Sequence, residues 1–301
     1  MKKSVLITGA SGFVGSQLVK HYLSNGFKVF GIDIKKGPVF PNIKYHHIKT
    51  NIINEKKVRD IFDRHYDLVI HLSGITRISD AKNKPTEAIK SNILATTILF
   101  QNYNETCKIY NKKGSFIFIS TAELTNIYLG TTTPSIYSIT KSSSEEILKN
   151  LYAPELLNLS IVRLCTVFGG KLENKFKVPR IFLEKIKNNE ELMVNNSKNE
   201  KPSFIFIDDV IEIIYKVSQK NYHDKPTKIK TITVKGTESS LIDLVKKLQI
   251  VTNRKVNYVV KKITHNRSIK MNIFKEINKT NQTKFINNLK KSWELIIGKN
   301  N

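Results

Sequence analysis

Short apolar runs alternate with amphipathic stretches through the first half of the chain. The runs Ser4–Ile7, Lys28–Ile32, Ile43–His47, Leu68–Leu72, Ser115–Ser120, Leu159–Leu164 and Lys230–Val234 have the length and composition of strands. Between them, Val14–Ser24, Asn54–His65, Thr86–Tyr110 and Ser138–Leu151 repeat apolar positions at helical spacing. Strand followed by helix, repeated, predicts an α/β fold with a Rossmann-type, doubly wound parallel sheet whose ligands lie at the C-terminal strand ends. After about residue 166 the rhythm changes. Helical patterns at Val178–Asn188, Asp209–Gln219, Ser240–Thr252 and Thr283–Ile297 are separated by polar loops such as Asn195 to Asn199, which predicts a smaller C-terminal part.

The first strand runs directly into Thr8-Gly9-Ala10-Ser11-Gly12-Phe13-Val14-Gly15 and then into a helical pattern. Gly9 permits a tight turn, Gly12 lets the backbone approach a pyrophosphate, and Gly15 lets the helix pack closely on the strand. Amides of Ser11, Phe13 and Val14, together with the helix dipole, face the phosphates. The second strand ends in Asp33, an acid placed to accept hydrogen bonds from both hydroxyls of an adenosine ribose. Residues 1–165 are therefore expected to be an NAD(P)-binding domain, and 166–301 a mainly substrate-binding part interleaved with it. NAD(H) is the favoured cofactor because a carboxylate repels a 2′-phosphate, while Lys35 and Lys36 leave NADP(H) open.

Composition narrows the setting. The chain has 301 residues and a formal charge of +25, with twelve Lys or Arg after Asn253 against Glu276 and Glu294 alone. Lys, Asn and Ile are abundant everywhere, and there is no helix-turn-helix, zinc spacing or aromatic stacking platform. The charge is thus read as a solvated surface that favours anionic substrates, with no nucleic-acid partner expected. Cys107 and Cys165 are far apart and lack metal-ligand spacing, so neither a disulfide framework nor a metal site is expected. No apolar run approaches the roughly 20 residues of a membrane span, and the apolar stretch after Met1-Lys2-Lys3 is too short for a signal peptide, which makes the cytoplasm the expected compartment.

Candidate chemistry lies mid-chain. Tyr137 and Lys141 are four residues apart and share one helix face. A neighbouring ammonium is expected to lower the phenol pKa until it exchanges a proton with a sugar or alcohol hydroxyl. Upstream, the buried-strand run Phe116–Ile119 ends in Ser120-Thr121-Ala122-Glu123, where a doubly wound sheet presents side chains to a cofactor.

Taken in order, Thr8 to Gly15, Asp33, His71-Leu72-Ser73-Gly74, Asn92, Ser120-Thr121, Tyr137/Lys141 and Arg163 to Gly169 resemble the extended short-chain dehydrogenase/reductases, a family of nucleotide-sugar epimerases, dehydratases and reductases. Phe204 to Val210 and Lys235 to Leu241 extend the likeness. The resemblance implies that Tyr137 is the acid/base, that Lys141 is its electrostatic partner and a ligand of the nicotinamide ribose, and that Thr121 donates to the reacting oxygen. It also implies cofactor contacts from Ile34, Asn51, Ile52, Leu72, Ser73, Gly74, Asn92 and Ser120, and a homodimer through the long helices. Substrate contacts fall to Thr76 and Thr166; since Pro202 replaces an Arg frequent in the family, Arg180, Lys201 or Arg267 is expected to meet the diphosphate.

Ala122 departs from the family's 4,6-dehydratases, which carry an acid or Ser there, although Glu123 keeps chemistry at a C5 proton formally open. The expected activity is hydride transfer at C4 of a nucleotide-activated sugar, as a 4-keto-sugar reductase or dehydrogenase. The alternatives are a 4-epimerase and, behind it, a 4,6-dehydratase or a non-catalytic NAD(P)-binding protein.

Overall fold

The computed structural model describes residues 3–37, 44–128, 134–173, 175–196, 201–223, 229–262 and 282–298. Its elements begin with β1 (Ser4–Thr8), α1 (Phe13–Ser24), β2 (Lys28–Asp33), β3 (Tyr45–Lys49), α2 (Glu55–Ile61), β4 (Leu68–His71), α3 (Ile78–Asn83) and α4 (Pro85–Ala88). A π-helical turn (Ile89–Leu94) leads into α5 (Ala95–Ile109), β5 (Gly114–Thr121), α6 (Glu123–Tyr128), α7 (Ile136–Leu151), β6 (Leu157–Leu164) and β7 (Thr166–Phe168). The chain continues through α8 (Val178–Lys187), β8 (Leu192–Asn196), β9 (Ser203–Phe206), α9 (Ile207–His223), β10 (Lys230–Val234), β11 (Thr237–Glu238), α10 (Leu241–Thr252), β12 (Tyr258–Lys262) and α11 (Gln282–Ile296).

Among the described residues, seven strands form one sheet in the order β10-β6-β5-β4-β1-β2-β3. β1 pairs in parallel with β2 and β4, β2 with β3, and β4 with β5. The order reverses between β1 and β4, and in such a doubly wound sheet the crevice beyond those two strand ends is the ligand position. The central strands are buried on both faces, as continuous apolar runs require; β3, at the edge, is half exposed. Phe30, Val69, Phe100, Tyr103, Phe116, Phe118 and Ile161 belong to the core around this sheet.

The chain forms two compact units. The first comprises Met1–Leu124, Pro134–Arg163 and Ile211–Ile232, and the second Thr125–Thr133, Leu164–Val210 and Thr233–Asn301. In the second, β7 pairs in parallel with β9 and β9 antiparallel with β11, while β8 and β12 form a separate parallel pair. Phe285 of α11 packs on Phe168 and Phe204, with ring centroids 5.7 and 6.0 Å apart.

Several elements differ from the sequence reading. The helix expected over Asn54–His65 ends at Ile61, because Phe62 and Tyr66 both turn into the core and the Tyr66 hydroxyl donates to the Ile61 carbonyl at 3.1 Å. The single helix expected over Thr86–Tyr110 is broken by the π turn, whose extra residue swings Asn92 inward. Of the polar stretch expected as a loop, Asn195 and Asn196 extend β8 and pair with Lys261 and Lys262; 197–199 lie outside the described residues. The third strand starts at Tyr45 and reaches Lys49, its register on β2 ending with Asp33 opposite Lys49; Ile43 lies outside the described residues.

Candidate active site

β1 ends at Thr8, and Gly9 turns the chain with φ +70, a conformation that a side chain would strain. The Gly12 amide closes the turn onto the Gly9 carbonyl at 2.9 Å. A Cβ on Gly15 would stand 2.0 Å from that same carbonyl oxygen, so only glycine lets α1 start here. No side chain caps α1 at Gly12, and its first turn carries no acid, so its amides and dipole keep their attraction for an anion.

Asp33, half-buried at the end of β2, is held by the turn: Oδ2 accepts the Ser11 amide and Oδ1 the Lys35 amide, each at 3.0 Å. The glycine turn and the carboxylate at the end of β2 are thus one hydrogen-bonded piece. The residues fit a dinucleotide.

β5 delivers Thr121 and α7 delivers Tyr137 and Lys141. Ser135 starts α7 with a reciprocal capping pair, its hydroxyl accepting the Ser138 amide at 3.1 Å while the Ser138 hydroxyl accepts the Ser135 amide at 2.8 Å. The side chains of Thr121 and Tyr137 are hydrogen-bonded to each other. Lys141 is buried on the inner face of the helix with its ammonium 4.3 Å from the centroid of the Phe118 ring, and burial lowers its pKa to about 8 against the raising effect of Glu145.

The expectation that this ammonium would lower the Tyr137 pKa is corrected. Desolvation pushes the phenol above its ordinary range although part of the ring stays exposed, the Thr121 hydrogen bond draws it back only partly, and Glu123 raises it further. Tyr137 is therefore a neutral phenol at physiological pH, a proton donor.

Glu123 opens α6, its amide donating to the Thr121 hydroxyl at 3.3 Å and its carboxylate accepting from Ser135 at 3.4 Å. Ala122 is buried beside it.

A chain of buried hydrogen bonds that the sequence reading did not single out ties these parts together. Thr8 Oγ1 accepts the amides of Leu72 and Ser73, both at 3.2 Å, and contacts His71 Nδ1 at 2.7 Å. With two amides already accepted, that hydroxyl donates to Nδ1, which leaves the proton on Nε2. Nε2 contacts Thr96 Oγ1 at 2.8 Å, and Thr96 donates to the Asn92 carbonyl. Asn92 in turn holds the 72–76 loop by both the amide and the carbonyl of Ile75, at 2.8 and 3.0 Å, and donates to Thr140 at 2.9 Å. Thr140 donates to the Tyr137 carbonyl at 2.8 Å. The path runs from the residue before Gly9 to the backbone of the candidate acid.

Other expected site residues fall as follows. Ile52 is buried, Asn51 is exposed with Oδ1 accepting the Ile53 amide at 3.1 Å, and Ile34 is 63% exposed. Gly74 adopts φ +145, and a Cβ there would meet Asn92 Oδ1 at 2.4 Å. Leu72 and Ser73 are partly exposed, and Thr76 is exposed.

Ser120 is turned inward, donating to Glu145 Oε1 at 2.5 Å, and the same carboxylate takes Arg163 through Nε at 3.0 Å and through its second nitrogen at 2.5 Å. In the second unit, Thr166 starts β7 and Lys201 is exposed. Arg180 pairs with Glu184, while its buried Nε makes no hydrogen bond. Arg267 lies outside the described residues. The glycine turn, Asp33, Thr121, Tyr137 and Lys141 all belong to the first unit.

Residues 5–232 match the NAD dependent epimerase/dehydratase family. A dTDP-D-glucose 4,6-dehydratase from Dictyostelium discoideum is 26% identical over 240 residues, covering 69% of this chain and 54% of that protein, so the chain spans about half of that relative's length. A dTDP-4-dehydro-6-deoxyglucose reductase from Escherichia coli is 26% identical over 227 residues, covering 70% of this chain and 71% of the reductase. The structure of a UDP-N-acetylglucosamine 4-epimerase from Methanobrevibacter ruminantium superposes with a TM-score of 0.78 at 22% identity, covering 99% of this chain and 100% of the other.

Proposed function

The chain belongs to the NAD dependent epimerase/dehydratase family, and from that premise we propose that it transfers hydride at C4 of a nucleotide-linked sugar, reducing a 4-keto group. The observation that carries this reading is the Thr121–Tyr137 hydroxyl pair, in which burial keeps the phenol protonated. A ketone oxygen receiving hydride at its carbon needs a proton, and a neutral phenol positioned by Thr121 supplies it. Lys141, one helical turn further along α7, is the cation we assign to the phenolate left behind, an effect that burial of the phenol outweighs in the resting site. When bound, NAD(H) supplies the hydride. The glycine turn would hold its pyrophosphate, and the Asp33 carboxylate the adenosine ribose hydroxyls.

Oxidation and re-reduction at C4 share this machinery, so 4-epimerisation is the second reading, favoured by the likeness to a 4-epimerase structure. Dehydration across C5 and C6 is disfavoured, because Ala122 offers no proton to a departing C6 hydroxyl. Arg180 and Lys201 are the candidates for the substrate diphosphate. The reading also carries a homodimer through α5, α7 and the turn before them, where Ile89, Leu94 and Ile139 are 50, 43 and 46% exposed, and light scattering reads it. Both cysteines are free, as a reducing cytoplasm allows.

Fluorescence titration with NADH and NADPH tests the cofactor half. NADH is expected to bind at least about tenfold tighter, the scale of one charge repelled at close range. Tighter NADPH binding would overturn the role given to Asp33.

A further inference from the structure

One helical turn beyond Lys141, Glu145 is a carboxylate buried completely, and the hydride-transfer scheme does not use it. Its two oxygens carry three bonds from two strands: Ser120 of β5 and the Arg163 fork of β6. Ser120 immediately precedes Thr121, so the carboxylate grips the strand end that presents the hydroxyl bonded to Tyr137. On its own helix it lies at the i+4 position from Lys141 and favours the charged form of that amine.

We propose that Glu145, anchored by Arg163, is a positioning residue that sets a counter-charge one helical turn from Lys141 and fixes the Ser120–Thr121 strand end against α7. The proposal rests on the reading of Tyr137 and Lys141 given above.

A buried ion pair is a poor source of stability, because removing two charges from water offsets their attraction. Here the pair has a use that an apolar replacement would lack. Lys141 is desolvated against Phe118 and bears on His71, which stacks on the same ring with centroids 5.7 Å apart and stays neutral because burial lowers its pKa to about 3. Tyr137, one turn earlier, is neutral as well, and the carboxylate of Glu123 bears on Tyr137. Among the described residues, Glu145 alone is a group that raises the Lys141 pKa, and Arg163 pairs with that carboxylate from β6. Without Glu145, burial would push the Lys141 pKa further below its usual range and shift the amine toward its neutral form.

The ionisation of Lys141 can be followed without turnover, by 13C NMR of protein labelled at lysine Cε. One resonance is expected to titrate near pH 8, apart from the surface lysines, and to vanish in Lys141→Arg. In Glu145→Gln its midpoint should fall by roughly one pH unit, the scale of losing one close opposite charge. Glu145→Asp should restore most of the shift. Arg163→Gln should move the midpoint the opposite way, to higher pH, a sign that general loosening of the structure does not give. The alkaline limb of the pH profile of turnover should follow the same order.

If the midpoint stays put in a folded Glu145→Gln, the proposal is wrong; if that variant does not fold, an Arg163→Gln midpoint that fails to rise overturns it equally. A protein inactive on every sugar tried, yet showing these shifts, would sink the functional reading and leave this one standing.

Discussion

Replacing Tyr137 by Phe removes one oxygen atom and keeps the ring that packs at the start of α7. Turnover should be abolished while cofactor affinity stays within about twofold, since a single hydroxyl supplies the proton and does not build the cradle. Thr121→Ala should slow turnover by roughly ten- to a thousandfold, the usual scale for losing one polarising donor. Steady-state kinetics beside a cofactor titration checks both, and wild-type rates in Tyr137→Phe would end the mechanism. The positions of Thr121, Tyr137 and Lys141 were legible in the sequence, but the ionisation of the phenol was not. Spacing reported the cation and could not report desolvation, which depends on residues packed around the hydroxyl. Glu145 had a weak signal, an acid four residues after Lys141, that acquires meaning only when β5 and β6 bring Ser120 and Arg163 to it.

At the scale of elements, His71 joins β1, β4 and α5 in a network that works only with a neutral imidazole. Its Nδ1 must accept from Thr8, whose hydroxyl already accepts two amides, so a proton there would face a donor. The folded-state pKa is lowered from 6.5 to about 3, chiefly by burial and then by Lys141. Below pH 6.5 the unfolded chain takes up a proton that the folded chain refuses. The contribution is therefore fully present above pH 6.5 and is lost as pH falls toward about 3, by a few kcal/mol in all.

Urea unfolding from pH 7 to pH 4 should show this slope, and His71→Asn, less stable at pH 7, should show a flatter one. Equal slopes in the two proteins would contradict the assignment. The sequence foretold the apolar strands and their flanking helices because burial on both faces leaves an unbroken apolar run. It did not foretell the π turn at Asn92, which is held by Ile75, Thr140 and Ser144 from other segments. Nor did it foretell β8, whose polar end is a strand because β12 pairs with it.

For the whole molecule, the glycine turn, the parallel sheet and the acid at the end of β2 make the cofactor side readable in residue order, since each is a local feature set in a regular topology. The proposed substrate contacts are less readable: Arg180, in the second unit, pairs with Glu184, and no sequence motif marks a pocket there. The formal charge of +25 adds a general attraction for anions without choosing among them.

The central claim is about the reaction at C4, and deuterium placement tests it most directly. The protein is incubated with NADH carrying deuterium at the transferable position and a panel of nucleotide-linked 4-keto sugars, and in parallel with NAD and nucleotide-linked hexoses, and products are read by NMR and mass spectrometry. The expected result is deuterium at C4 of a reduced sugar, lost in Tyr137→Phe, and no 4-keto-6-deoxy sugar from any hexose. Formation of a 4-keto-6-deoxy sugar would contradict the account, because C6 hydroxyl departure would then proceed beside Ala122 and Glu123 would be the group that drives it.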